Sequence, residues 1–87
     1  MLIPSKVKMV SSLKKHPYYR DDNHLYLPTV DGKPVDHAVI ADAINGYVKC
    51  YVTDDKGNFR IDPAKPDRLL LVRRKGHVVI MQEKETA

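Results

Sequence analysis

The sequence predicts a mainly β domain, a small antiparallel barrel or sandwich-like meander. Three observations predict it. Segments rich in β-branched and aromatic residues, above all Tyr47 to Thr53, alternate along the chain as half-buried strands do. Turn chemistry recurs between such segments, at Asp31-Gly32, at Asp54 to Asn58 and at Lys75-Gly76. The apolar runs are also short. The longest, Leu69 to Val72, falls far below the about 20 residues of a membrane helix.

The elements follow in chain order. Residues 5–16 fit neither a helical stripe nor a strand alternation. His16-Pro17 ends any helix there, because proline pushes the preceding residue out of the α region. Arg20 to His24 is a polar loop. Leu25 to Val30 reads as a strand, and Pro28 makes it an edge or bulged one, since proline donates no ladder hydrogen bond. Asp31-Gly32 turns the chain. Residues 36–46 admit two readings: a short helix at 37–45 ended by Asn45-Gly46, or a strand and turn leading into the next strand. Tyr47 to Thr53 is a strand with Tyr47, Lys49, Tyr51 and Thr53 on one face and Val48, Cys50 and Val52 on the other. Phe59 to Ile61 pairs back across the Asp54–Asn58 turn. A loop over Pro63 to Pro66 follows. The segments 68–74 and 77–82 are expected to form a hairpin through Lys75-Gly76, apolar on both faces.

At 87 residues the chain makes one domain. A chain of this length buries only about 60–65% of its unfolded surface, so it holds one modest core. It is expected to divide into a basic, flexible arm at 1–24, a β domain at 25–82 and a polar tail at 83–87. A two-faced apolar hairpin in so small a chain points to self-association through that hairpin. The single cysteine, Cys50, excludes an internal disulfide and reads as a small core residue in a reducing compartment. The N-terminus has no apolar run of signal-peptide length. The expected location is the cytoplasm, and no membrane partner is expected.

The net charge is +4, and its distribution is uneven. The first 20 residues hold Lys6, Lys8, Lys14, Lys15 and Arg20 and no acid. The remaining 67 hold ten bases against eleven acids. A basic arm is one way to contact nucleic acid or another anionic partner. With Tyr18, Tyr19 and Tyr26, and with Arg73, Arg74 and Lys75, it supplies the cations and stacking rings that single-strand binders use. The contrary reading has the tyrosines completing the core and the cations keeping the surface soluble.

Catalytic and cofactor signatures are lacking. The glycines stand apart at 32, 46, 57 and 76, so there is no phosphate loop. The histidines at 16, 24, 37 and 77 share no metal-ligand spacing. The Asp54–Asn58 cluster lacks the distal glutamate of a calcium loop. No enzyme activity, no metal and no cofactor is therefore expected.

One longer pattern remains. Val30-Asp31-Gly32, Val39-Ile40-Ala41-Asp42, Gly46-Tyr47-Val48, Tyr51-Val52-Thr53-Asp54, Gly57 and Arg73-Arg74-Lys75-Gly76-His77-Val78-Val79-Ile80 together resemble small phage and prophage proteins of unassigned role. The resemblance spans residues 30–80. It implies a strand re-entry at Gly46-Tyr47-Val48, which favours the hairpin reading of 36–46. It also implies a viral origin, with the virion as a second location. The expected function is a non-enzymatic structural or interaction protein, and the alternative is a small nucleic-acid-binding β module using the basic arm.

Overall fold

A computed structural model describes residues 2–83. It is 54% strand and 4% helix, so the chain is mainly β. Ten strands run in order: β1 (Leu2–Pro4), β2 (Met9–Ser11), β3 (Tyr26–Val30), β4 (Lys33–Pro34), β5 (Ala38–Asp42), β6 (Tyr47–Tyr51), β7 (Ile61–Asp62), β8 (Lys65–Leu69), β9 (Leu71–Lys75) and β10 (Val78–Glu83). They build two four-stranded antiparallel sheets, β1-β10-β3-β4 and β2-β5-β6-β9, and a small β7-β8 ribbon. The barrel alternative is not realised, because neither sheet closes on itself.

The two larger sheets face each other. Val10, Ala41, Val48 and Cys50 come from one, Val78 and Ile80 from the other, and Val35 joins them from the connection after β4. Val48 is wholly buried, and Cys50 and Ile80 are each 2% exposed. Burying each Val or Ile side chain contributes about 1.5–3 kcal/mol. Cys50 is the small core residue its strand pattern predicts.

Local turn chemistry acts as expected at two places. Asp31 (φ 52°) and Gly32 (φ 83°) close the β3–β4 hairpin, with Val30 opposite Lys33. Asp54 Oδ1 accepts the Lys56 and Asn58 N–H groups, and Thr53 bridges Phe59 across that turn. Pro28 sits in β3 between β10 and β4 rather than on an outer strand. Its carbonyl accepts the Val35 N–H at 3.1 Å, just past the last β3–β4 pair. The donor it lacks therefore falls where β4 ends, and the edge rule holds locally.

Residues 36–46 form a hairpin and contain no helix. β5 pairs with β6, and a bulge between Ala38 and Ile40 lets Val39 and Ile40 both be buried. The chain turns on Asp42. Its carboxylate accepts the Ile44 and Asn45 N–H groups, and Gly46 N–H bonds the Asp42 carbonyl. Gly46 takes φ +73° to re-enter β6. A Cβ there would lie 2.9 Å from the Gly76 carbonyl oxygen.

Three expectations are corrected. The hairpin through Lys75-Gly76 does not form, because β9 pairs with β6 while β10 pairs with β3 and β1. Both segments are strands, but Gly76 and His77 carry the chain from one sheet to the other. Gly76 has no left-handed φ. It is small because a Cβ would lie 2.7 Å from Val30 Cγ1 and 2.8 Å from an Asp31 carboxylate oxygen. With no such hairpin, its two-faced apolar surface disappears: Val78 and Ile80 enter the core and Leu69 and Leu71 remain exposed.

The second correction concerns the N-terminal arm. Leu2–Pro4 pairs with β10 and Met9–Ser11 pairs with β5, so the segment before residue 24 belongs to both sheets. Buried Ser5 makes the crossing, its N–H bonded to Ile80 O and its Oγ accepting the Val7 N–H. Third, Phe59–Ile61 pairs back only in part, through the Thr53–Phe59 bridge and the Arg60 N–H bond to Val52 O. Ile61 instead pairs with Leu69 in the ribbon, and the strand expected from Arg68 onward breaks at Leu70. Of the expected tail, Glu83 ends β10 and residues 84–87 lie outside the described residues.

The ribbon lengthens the molecule. Residues 54–69 are all exposed except half-buried Asp62. The radius of gyration is 13.6 Å, against about 12 Å for a compact chain of this length.

Candidate functional site

Strand periodicity places the side chains of β6 and β9 alternately on the core and on the outer face of their sheet. The register pairs Tyr47 with Lys75, Lys49 with Arg73 and Tyr51 with Leu71. The alternate pairs, Val48 with Arg74 and Cys50 with Val72, face the other way. Because Val48 and Cys50 are core residues, the first set is the outer one. It holds three cations, two tyrosines and one leucine, and no carboxylate. The Arg73 guanidinium lies 4.4 Å from the centre of the Tyr47 ring.

One side of this face is walled by the segment after β2. Tyr18 and Arg20 return alongside β2, through Ser11 N–H to Tyr18 O at 3.0 Å and Arg20 N–H to Ser11 O at 3.3 Å. The Tyr18 hydroxyl donates to Asp42 Oδ2 at 3.2 Å. Asp42 is wholly buried and also accepts Ile44 N–H, Asn45 N–H and Asn45 Nδ2 at 2.9, 2.8 and 2.7 Å. Burial pushes its carboxyl up, but the bonds from Asn45, Tyr18 and Ile44 outweigh burial and hold it below the usual carboxylate range. The Tyr18 hydroxyl is raised, first by its bond to Asp42, then by burial, with a smaller contribution from neighbouring Tyr47. Asp42 thus acts as the anchor of the wall, an ionised and buried carboxylate beside its register partner Tyr47.

The sequence-predicted residues divide accordingly. Arg73, Lys75 and Tyr18 come together on the outer face. Arg74 lies on the opposite side of β9. Lys14 and Lys15 are exposed on the loop between Ser12, whose N–H bonds Val39 O, and Tyr18. Lys6 and Lys8 are exposed on the β1–β2 crossing. Arg20 is engaged elsewhere, with its Nε 2.9 Å from Asp22 Oδ1 and its guanidinium 5.6 Å from the Tyr26 ring. Asp22 raises Arg20 and is itself lowered by it. The Tyr19 hydroxyl is raised, first by a bond to Asp21 and then by burial.

Tyr47, Lys49 and Tyr51 are site residues that the sequence reading did not select. Their shared face was visible in the alternation of 47–53. The cations opposite them were not, because the expected hairpin gave 71–75 a different neighbour.

Chemically, the face offers rings for stacking and cations for phosphates. Tyr47 and Tyr51 are four residues apart on one strand, so their Cα atoms are about 14 Å apart, with Lys49 between them. Among the described residues no group of three or more His, Cys, Asp or Glu side chains is placed to hold a metal. No described helix is long and apolar enough to cross a membrane. No family model, curated protein or solved structure matches this chain.

Proposed function

We propose that this protein is a non-enzymatic binding module that holds single-stranded nucleic acid on the outer face of β6 and β9. The observation that carries the reading is the register that sets Tyr47, Lys49 and Tyr51 against Lys75, Arg73 and Leu71 without a carboxylate among them. An open sheet surface favours a single strand, whose bases are free to stack on tyrosines, over a duplex whose bases are already stacked. The resemblance at residues 30–80 supports a phage or prophage origin for such a module.

A fluorescence anisotropy titration at ~50 mM salt, where phosphate contacts are strongest, tests this with single- and double-stranded DNA. Three face cations predict a log–log salt slope of about −2 for a single strand, at about −0.7 per phosphate neutralised. The double variant Arg73→Gln/Lys75→Gln should lose most of the binding and keep the fold. Failure of the wild-type protein to bind either form would end the reading.

One observation favours a second role in assembly. The ribbon exposes Phe59 (44%), Ile61 (60%) and Leu69 (39%), beside Leu71 (37%) at the start of β9. A two-stranded ribbon is marginal by itself, and such apolar exposure suits a protein contact. This is the interaction-protein role, moved from the expected hairpin to the ribbon.

A further inference from the structure

A groove of about 720 Å³ opens where the two large sheets separate, between the β3–β4 hairpin and the ends of β6 and β9. Its volume falls in the range of small-molecule sites. Val30, Val35 and Val52 are the apolar side chains of a lining that is more polar than apolar, and Lys33, Arg74 and Lys75 also line it. Asp31 and Asp36 line it too, and Asp31 Oδ1 accepts the His77 N–H at 2.9 Å. Lys33, Arg74 and Lys75 have no ion-pair partner among the described residues. His37, also in the lining, holds the left-handed conformation (φ 59°) that non-glycine residues rarely adopt, and its carbonyl accepts the Tyr51 N–H. Unpaired cations beside a few apolar side chains suit a polar ligand that carries an anionic group.

The groove is continuous with the basic face. Tyr51 and Lys75 belong to both. β9 is the edge of its sheet, and Arg73, Arg74 and Lys75 alternate across it, so cations flank that edge on both sides. A chain lying across Tyr47 and Lys49 can pass over the edge at Lys75 and meet Arg74 in the groove. We infer that the groove takes the phosphorylated terminal nucleotide of the strand bound on the face. This rests on the proposed nucleic-acid reading and adds a preference for one kind of strand end.

The test compares fluorescent dT octamers that carry a 5′-phosphate, a 3′-phosphate or neither. In the wild-type protein one terminal phosphate should tighten binding about tenfold, the size of one charge-assisted hydrogen bond. Arg74→Gln should erase that gain and leave affinity for the unphosphorylated octamer within about twofold, since Arg74 is off the face. Arg73→Gln should weaken all three octamers and keep their ratio. Lys33→Gln provides a second groove variant, and unchanged thermal melting verifies that each variant folds. Equal affinity of the wild-type protein for all three octamers would overturn the inference, as would an Arg74→Gln variant that weakens all three equally. If no octamer binds, the face reading fails and the groove is tested by itself, by amide NMR shifts with dTMP and with inorganic phosphate. Shifts at Val30, Val52 and Arg74 with dTMP, beyond those with phosphate, retain the nucleotide assignment. Identical shifts with the two probes, or none, overturn it.

Discussion

Replacing Asp42 by alanine isolates the anchor on which both the β5–β6 turn and the Tyr18 wall depend. The carboxylate receives four hydrogen bonds, from Ile44 N–H, Asn45 N–H, Asn45 Nδ2 and the Tyr18 hydroxyl. Bonds to a charged group contribute about 1.5–3 kcal/mol each. Against them stands the cost of keeping a carboxylate wholly buried, several kcal/mol. Alanine removes both terms, but it leaves two backbone donors and a hydroxyl unpaired. A net loss of about 3 kcal/mol follows if each orphaned donor costs about 1 kcal/mol. In a domain of this size that lowers Tm by about 12–24 °C. Circular dichroism melts at pH 7 measure it. The pH dependence supplies an independent check. A carboxyl held below its unfolded value stabilises the fold above that unfolded value, about pH 4, and the stability is lost as pH falls through the folded value. The wild-type protein should therefore lose this contribution below about pH 4, while Asp42→Asn should lack that part of the acid transition. An Asp42→Ala protein within 1 °C of the wild type at pH 7 would refute the anchor.

Three further outcomes are expected. Gly46→Ala should cost about 1–2 kcal/mol in chemical denaturation, since alanine must adopt the left-handed φ and its Cβ meets the Gly76 carbonyl. Gly76→Val should cost about 1–3 kcal/mol by overpacking against Val30 and Asp31, so an accompanying Val30→Ala change should recover part of the loss. Sedimentation of the wild-type protein at micromolar concentration should show association that Ile61→Ser/Leu69→Ser removes; a wild-type monomer throughout would exclude the ribbon as a contact between copies.

Several elements were legible from neighbouring residues alone. Asp31-Gly32 and Asp54 to Asn58 are turns because their side chains and positive-φ tolerance close the backbone locally. Tyr47 to Tyr51 is a strand with Cys50 on its buried face because alternation maps directly onto the two sides of a sheet. The absence of a long apolar run likewise needed no tertiary information. These properties depend on contacts within about five residues of each other, which the order of residues specifies.

The choice of partner strand was decided only in three dimensions. Residues 71–75 and 78–83 each read as strands, and two residues between them matched a hairpin. Alternation says which residues share a face and says nothing about which strand lies alongside. Burying Val78 and Ile80 against Val48 and Cys50 requires β10 and β9 to be in opposite sheets, so Gly76 serves as a crossing packed on Val30 and Asp31. The basic face follows from that choice, because Arg73 and Lys75 reach Lys49 and Tyr47 only when β9 pairs with β6. The same holds for Asp42, a carboxylate that ordinary solvation would leave on the surface. It is buried because the bulged β5, the turn donors and Tyr18, 24 residues away in sequence, converge on it once the sheets have packed.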